Sequence, residues 1–114
     1  MPFDNTQRQL IKEIIGCYCE QKVPDDLKDQ VRVLYSIKGY TVTIIQSKPS
    51  FPGSHLWADC PIARLKYDPR TSSWELYRRN LTGEWQRYTD LKPTRHLQSL
   101  IDEIASDPFG VFWA

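Results

Sequence analysis

The chain predicts an α+β domain: a five-strand antiparallel meander flanked by an N-terminal and a C-terminal helix, both packed on one sheet face. Three observations carry this reading. Apolar residues recur at helical spacing near the start, alternate from Val31 to Tyr88 between turn signals, and return to helical spacing after Thr94. The 114 residues fit one domain, 1–114. At this size folding buries roughly two-thirds of the unfolded chain's surface, enough for a core without disulfides or a structural metal.

The first helix is predicted over residues 5–21. Asp4 or Asn5 caps it, and Asp4 with Gln7 has capping-box spacing. Leu10, Ile11, Ile14, Ile15 and Tyr18 form one apolar stripe opposite Arg8, Lys12 and Glu13. Gly16 weakens the helix, and Pro24 with Asp25-Asp26 ends it. Val31, Val33, Tyr35 and Ile37 then alternate with Arg32, Leu34 and Ser36, and Tyr40, Val42 and Ile44 with Thr41, Thr43 and Ile45, around a Lys38-Gly39 turn. Pro49, Pro52, Gly53 and Pro61 mark a loop from Lys48 to Pro61. Strands at Ile62–Asp68, Trp74–Arg79 and Glu84–Tyr88 follow, separated by Asp68–Ser73 and Asn80–Gly83. Thr94 is the expected cap of the second helix, whose apolar face is Leu97, Leu100, Ile101 and Ile104, and Asp107-Pro108 stops it.

Composition narrows the function classes. Fifteen Lys+Arg against fourteen Asp+Glu leave a net charge of +1, so the whole-chain charge names no partner. A mean hydropathy of −0.53 suits a folded soluble domain. No apolar run approaches the ~18 residues of a membrane span, so no membrane partner is expected. The first twenty residues lack a signal peptide's apolar stretch, and the three cysteines read as reduced thiols of a cytoplasmic protein. No Gly-x-Ser-x-Gly elbow or Gly-rich phosphate loop is present, and His55 and His96 have no local nucleophile signature, so no catalytic residue and no cofactor are assigned. A metal site would draw on Cys17, Cys19, His55 and Cys60, although buried free cysteine is the commoner fate.

Strand register is tested by whether the large apolar residues fall on one face. Pairing Tyr67 with Trp74 sets Leu65 opposite Leu76 and Ala63 opposite Arg78; pairing Arg79 with Glu84 sets Arg78 opposite Trp85 and Tyr77 opposite Gln86. Ala63, Leu65, Tyr67, Trp74, Leu76 and Trp85 then make a core face beneath Ile11, Ile14, Leu97 and Ile101. The opposite face carries Arg64, Lys66, Glu75, Tyr77, Arg79, Gln86 and Tyr88. Residues 62–95 hold eight basic and four acidic side chains, whereas both ends of the chain are acidic. Arg64, Lys66, Tyr77, Arg79 and Tyr88 are thus the candidate nucleic-acid face, with phosphates on the bases and nucleobases on the rings. Against this, Lys66–Glu75 and Arg79–Glu84 are expected to pair and neutralise much of the patch.

The stretch from Trp57 onward resembles a family of short bacterial proteins known as domain of unknown function 3024. Trp57, Pro61–Tyr67, Trp74–Tyr77, Trp85, Tyr88 and the terminal Asp107-Pro108-Phe109-Gly110-Val111-Phe112-Trp113 carry the resemblance. It covers about residues 31–113 and implies a small α+β bacterial protein, without lending an activity or a catalytic residue. A non-enzymatic protein-interaction or accessory role, including self-association, leads the functional expectation. Nucleic-acid binding is its rival, and an enzyme or metal-binding protein comes last. Trp57, Phe109, Phe112 and Trp113 lie outside the expected strands and helices and are the candidate partner contacts, or lids over the core.

Overall fold

The computed structural model describes residues 3–113. The N-terminal helix runs through α1 (Asn5–Ile11), a π turn (Lys12–Gly16) and α2 (Cys17–Lys22). Asp4 caps it through the full capping box: its carboxylate accepts from the Gln7 N–H, and the Gln7 side chain accepts from the Asp4 N–H. The π turn widens the helix locally, and Ile11, Ile15 and Cys19, four residues apart, all end up buried. Ile14, expected in the core, packs at its margin instead.

Strands β1 (Arg32–Lys38), β2 (Thr41–Pro49), β3 (Trp57–Asp68), β4 (Ser73–Arg79) and β5 (Trp85–Arg87) form one antiparallel sheet in sequence order. The C-terminal helix α3 (Leu97–Ser106) completes the α+β fold. Both helices cover the same face. Their buried Ile11, Ile15, Cys19, Leu97, Leu100, Ile101 and Ile104 meet Val33, Val42, Ile44, Ala63, Leu65, Trp74 and Leu76. Phe3, 1% exposed, closes one end of this core between Tyr40, Tyr67 and Trp74, with ring centroids 5.3 to 5.9 Å apart.

Four expectations are corrected. The first turn is Gly39-Tyr40, one residue later than Lys38-Gly39, because Lys38 pairs with Thr41 and Gly39 supplies the positive φ of 60°. The Lys48–Pro61 loop shrinks to residues 50–56: β2 and β3 pair out to Pro49↔Trp57. A bulge tolerates the prolines there, since Ile44 faces Ala63 while Ile45 faces Pro61, leaving Ile62 as the extra residue. Thr94 does not cap α3 but exchanges two backbone hydrogen bonds with Trp74, leaving His96 at the cap position.

The fourth correction is the β4–β5 register. The structure pairs Arg79 with Trp85, Arg78 with Gln86 and Tyr77 with Arg87, one residue away from the expected pairing. A one-residue slip turns every side chain of a strand to the other face. Trp85 therefore leaves the core face, and Tyr88 enters it, 3% exposed. Turn chemistry causes the slip. The Asn80 carboxamide oxygen accepts from the Thr82 N–H, the Thr82 hydroxyl and the Glu84 N–H, while Gly83 N–H donates to the Asn80 carbonyl. Gly83 at φ 84° then forms the bulge of a three-residue hairpin loop rather than a four-residue one.

The C-terminal segment docks on its own chain. Asp107 stands in the left-handed region, and its carboxylate accepts from the backbone N–H groups of Val111, Phe112 and Trp113. Phe112 is buried against Tyr88, centroids 5.2 Å apart. The Trp113 indole N–H donates to the Tyr18 hydroxyl at 3.1 Å, and the Lys22 ammonium sits 4.5 Å from the Trp113 ring.

Candidate functional site

With both helices on one side, the other side of the sheet faces solvent, and strand alternation decides which residues it shows. Arg32, Leu34, Ser36 and Lys38 of β1 point there with Thr41, Thr43, Ile45 and Ser47 of β2. Trp57, Asp59, Arg64 and Lys66 of β3, Glu75, Tyr77 and Arg79 of β4, and Trp85 and Arg87 of β5 complete the face. The bulge at Ile62 keeps both halves of β3 in phase with β2, and so places Trp57 on the same face as Arg64.

Arg32, Lys38, Arg64, Lys66, Arg79 and Arg87 are set there against the carboxylates of Asp59 and Glu75. Among the described residues, one ion pair forms on this face, Arg87 to Glu75 at 3.5 Å. The expected Lys66–Glu75 and Arg79–Glu84 pairs are absent. Glu75 is taken by Arg87 and by the Tyr77 hydroxyl, which donates to it at 3.2 Å. The shifted register removes Glu84 from Arg79, whose guanidinium donates instead to the Gly83 carbonyl at 3.2 and 3.3 Å. Asp59 accepts from the Ser47 hydroxyl at 2.7 Å.

Four of these six cations lie on aromatic rings rather than on carboxylates. Arg32 sits 4.3 Å from the Trp57 ring, Arg64 4.4 Å and Arg79 5.9 Å from the Trp85 ring, and the Lys66 ammonium 4.5 Å from the Tyr77 ring. Each contact holds a long side chain close to the sheet and keeps its charge unneutralised. Burial, then the hydrogen bond to Glu75, pushes the Tyr77 phenol up, so it stays neutral and a donor at physiological pH.

Of the candidate nucleic-acid residues, Arg64, Lys66, Tyr77 and Arg79 come together here. Tyr88 does not: it lies under the sheet, and its hydroxyl donates to Glu103 of α3 at 2.6 Å. Of the candidate partner contacts, Trp57 lies half-buried on the open face and Phe109 is exposed, whereas Phe112 and Trp113 dock on the chain itself. Arg32, Trp85 and Arg87 were missed. Trp85 was legible, since Asn80 and Gly83 are the first and fourth residues of a type I turn that sets the hairpin. The stack of Arg32 on Trp57 had no such signal, because it depends on the bulge. Cys17, Cys19, His55 and Cys60 lie on the N-terminal helix, in the 50–56 loop and on β3, and no group of three or more His, Cys, Asp or Glu suited to a metal forms among the described residues. No described helix is long and apolar enough to cross a membrane.

The family model described as Domain of unknown function (DUF3024) matches residues 3–114. No curated protein and no solved structure matches the chain.

Proposed function

Because the chain belongs to the DUF3024 family, whose description carries no activity, we propose a function from the chain's own surface: it binds nucleic acid across the helix-free face of its sheet. One observation carries this reading. The face presents six basic side chains, four of them held on aromatic rings, and among the described residues only Arg87 of the six is paired with a carboxylate. Cations spread over one open face in this way suit the repeated charge of a phosphate backbone. Its three free thiols also fit a reducing, cytoplasmic setting, where nucleic acid is at hand. Since Arg64 and Lys66 occupy the rings of Trp85 and Tyr77, phosphate contacts dominate and base stacking on those rings is secondary. Binding is therefore weakly dependent on sequence.

Fluorescence anisotropy with labelled single-stranded and duplex oligonucleotides tests this. Affinity should fall steeply with salt, and replacing Arg64 and Lys66 together with Gln should weaken binding for all sequences. Absence of binding at low salt would sink the reading. A protein partner is the second reading, and it has a different seat. Phe51, 62% exposed, and Leu56, 72% exposed, project from the loop joining β2 and β3. Changing both to Ser should abolish partner capture while leaving oligonucleotide binding intact.

A further inference from the structure

The strongest local feature of the open face is two arginines on one indole. Arg64 and Arg79 both lie against Trp85, from neighbouring strands β3 and β4. Neither makes an ion pair among the described residues. Arg79 is aimed by the turn: its Nε and Nη2 donate to the Gly83 carbonyl, and the missing Cβ of Gly83 leaves room for the guanidinium. The Arg64 Nε is buried and has no hydrogen-bond partner. Burying an unpartnered donor of a charged group is costly, as is crowding two like charges on one ring, and an anion at the open ends of the two guanidiniums offsets their charge.

We infer that Arg64, Arg79 and Trp85 form a seat for a single phosphate group. This rests on the nucleic-acid reading and deepens it, because it names one phosphate position within a broad positive face. Trp85 acts as a positioning residue that holds the Arg64 guanidinium against its ring, beside the Arg79 guanidinium fixed by the turn. The terminal Nη groups that the Gly83 bond and burial leave over supply the donors, a planar geometry that suits phosphate oxygens and that a lysine's point charge does not reproduce. The ligand chemistry is a phosphate ester, either a diester in a nucleic-acid backbone or a free phosphorylated compound.

The test compares the wild-type chain with Arg64→Gln, Arg79→Gln, the double variant and Arg64→Lys, after thermal melts have shown each to be folded. Each is titrated with a mixed-sequence single-stranded oligonucleotide over a salt series, and separately with inorganic pyrophosphate by calorimetry. A shared seat predicts that each Gln variant weakens oligonucleotide binding several-fold and lowers the slope of log affinity against log salt by about 1. The double variant should lose less than the product of the single losses, since both side chains serve one phosphate. Arg64→Lys should bind nearly as weakly as Arg64→Gln. Multiplicative losses with full rescue by Lys, or no losses at all, overturn the seat while the nucleic-acid reading stands. If the wild type binds no oligonucleotide, that reading falls. Pyrophosphate binding that Arg64→Gln abolishes then keeps the seat for a free phosphorylated ligand, and no pyrophosphate binding overturns it.

Discussion

Asp107 does three jobs with one side chain. It ends α3 in the left-handed region at φ 42°, and its two carboxylate oxygens gather the backbone N–H groups of Val111, Phe112 and Trp113. Asn tolerates the same backbone. Asp107→Asn should keep the two bonds to Oδ1 but set an amide donor against the Trp113 N–H, costing about 1–3 kcal/mol in a denaturant melt. Titration supplies a second residue-level prediction. Burial pushes the Cys19 thiol up from 9.0 to about 12 and also raises the Tyr88 phenol, which donates to Glu103. Both groups bind their protons more tightly folded than unfolded. Their contributions are whole below the unfolded values and are lost as pH rises through the folded ones. Stability should therefore start to fall above about pH 9, and the fall should be shallower in Cys19→Ala. Thiol titration should find Cys17 and Cys60 fast and Cys19 silent until the chain unfolds.

At the scale of elements, the hairpin joining β4 and β5 decides what the open face carries. Gly83 at φ 84° sets a three-residue loop, and a Cβ there would come within 2.9 Å of the Arg79 guanidinium. That guanidinium can swing aside, so the backbone strain is the main cost. Gly83→Ala should lose about 1–2 kcal/mol of stability and displace Arg79. Weakened phosphate binding beyond what the stability loss explains would register the displacement. The β3–β4 register was legible because Leu65, Tyr67, Trp74 and Leu76 alternate with polar neighbours on both strands, and one pairing alone puts them on a single face. β5 has three residues and no such pattern. Trp85 and Tyr88 compete for the core there with opposite parity, so the turn's hydrogen bonds set the outcome.

For the whole molecule, the C-terminal segment ties the N-terminal helix to α3 and β5. Trp113 meets Tyr18 and Lys22, while Phe112 fills the space beside Tyr88. Ending the chain after Pro108 should remove about 3–5 kcal/mol, comparable to truncating a buried aromatic, from a total of about 5–15 kcal/mol. Thermal melts with light scattering check this: a lower melting temperature for an unaltered monomer is the expected outcome, and an unchanged melt would show that the docked tail does no stabilising work. The net acidic helical ends and the basic sheet face also divide the charge of a nearly neutral chain.

Apolar spacing by itself determined the helix–meander–helix order and the β3–β4 pairing, because burying one stripe per helix and one face per strand leaves few other solutions. It also marked Arg64, Lys66, Tyr77 and Arg79 as neighbours, since alternate residues of paired strands must share a face. Tertiary structure alone decided the rest. The bulge at Ile62 carried Trp57 onto the open face under Arg32, and the Asn80–Gly83 turn exchanged Trp85 for Tyr88. Lys66 and Arg79 on that face then settled on rings instead of carboxylates, since Glu75 was already engaged and Glu84 turned away. A one-residue shift costs little in a short strand without an apolar pattern, yet it reassigns every side chain, so local hydrogen bonds rather than hydrophobicity chose the surface that this chain presents.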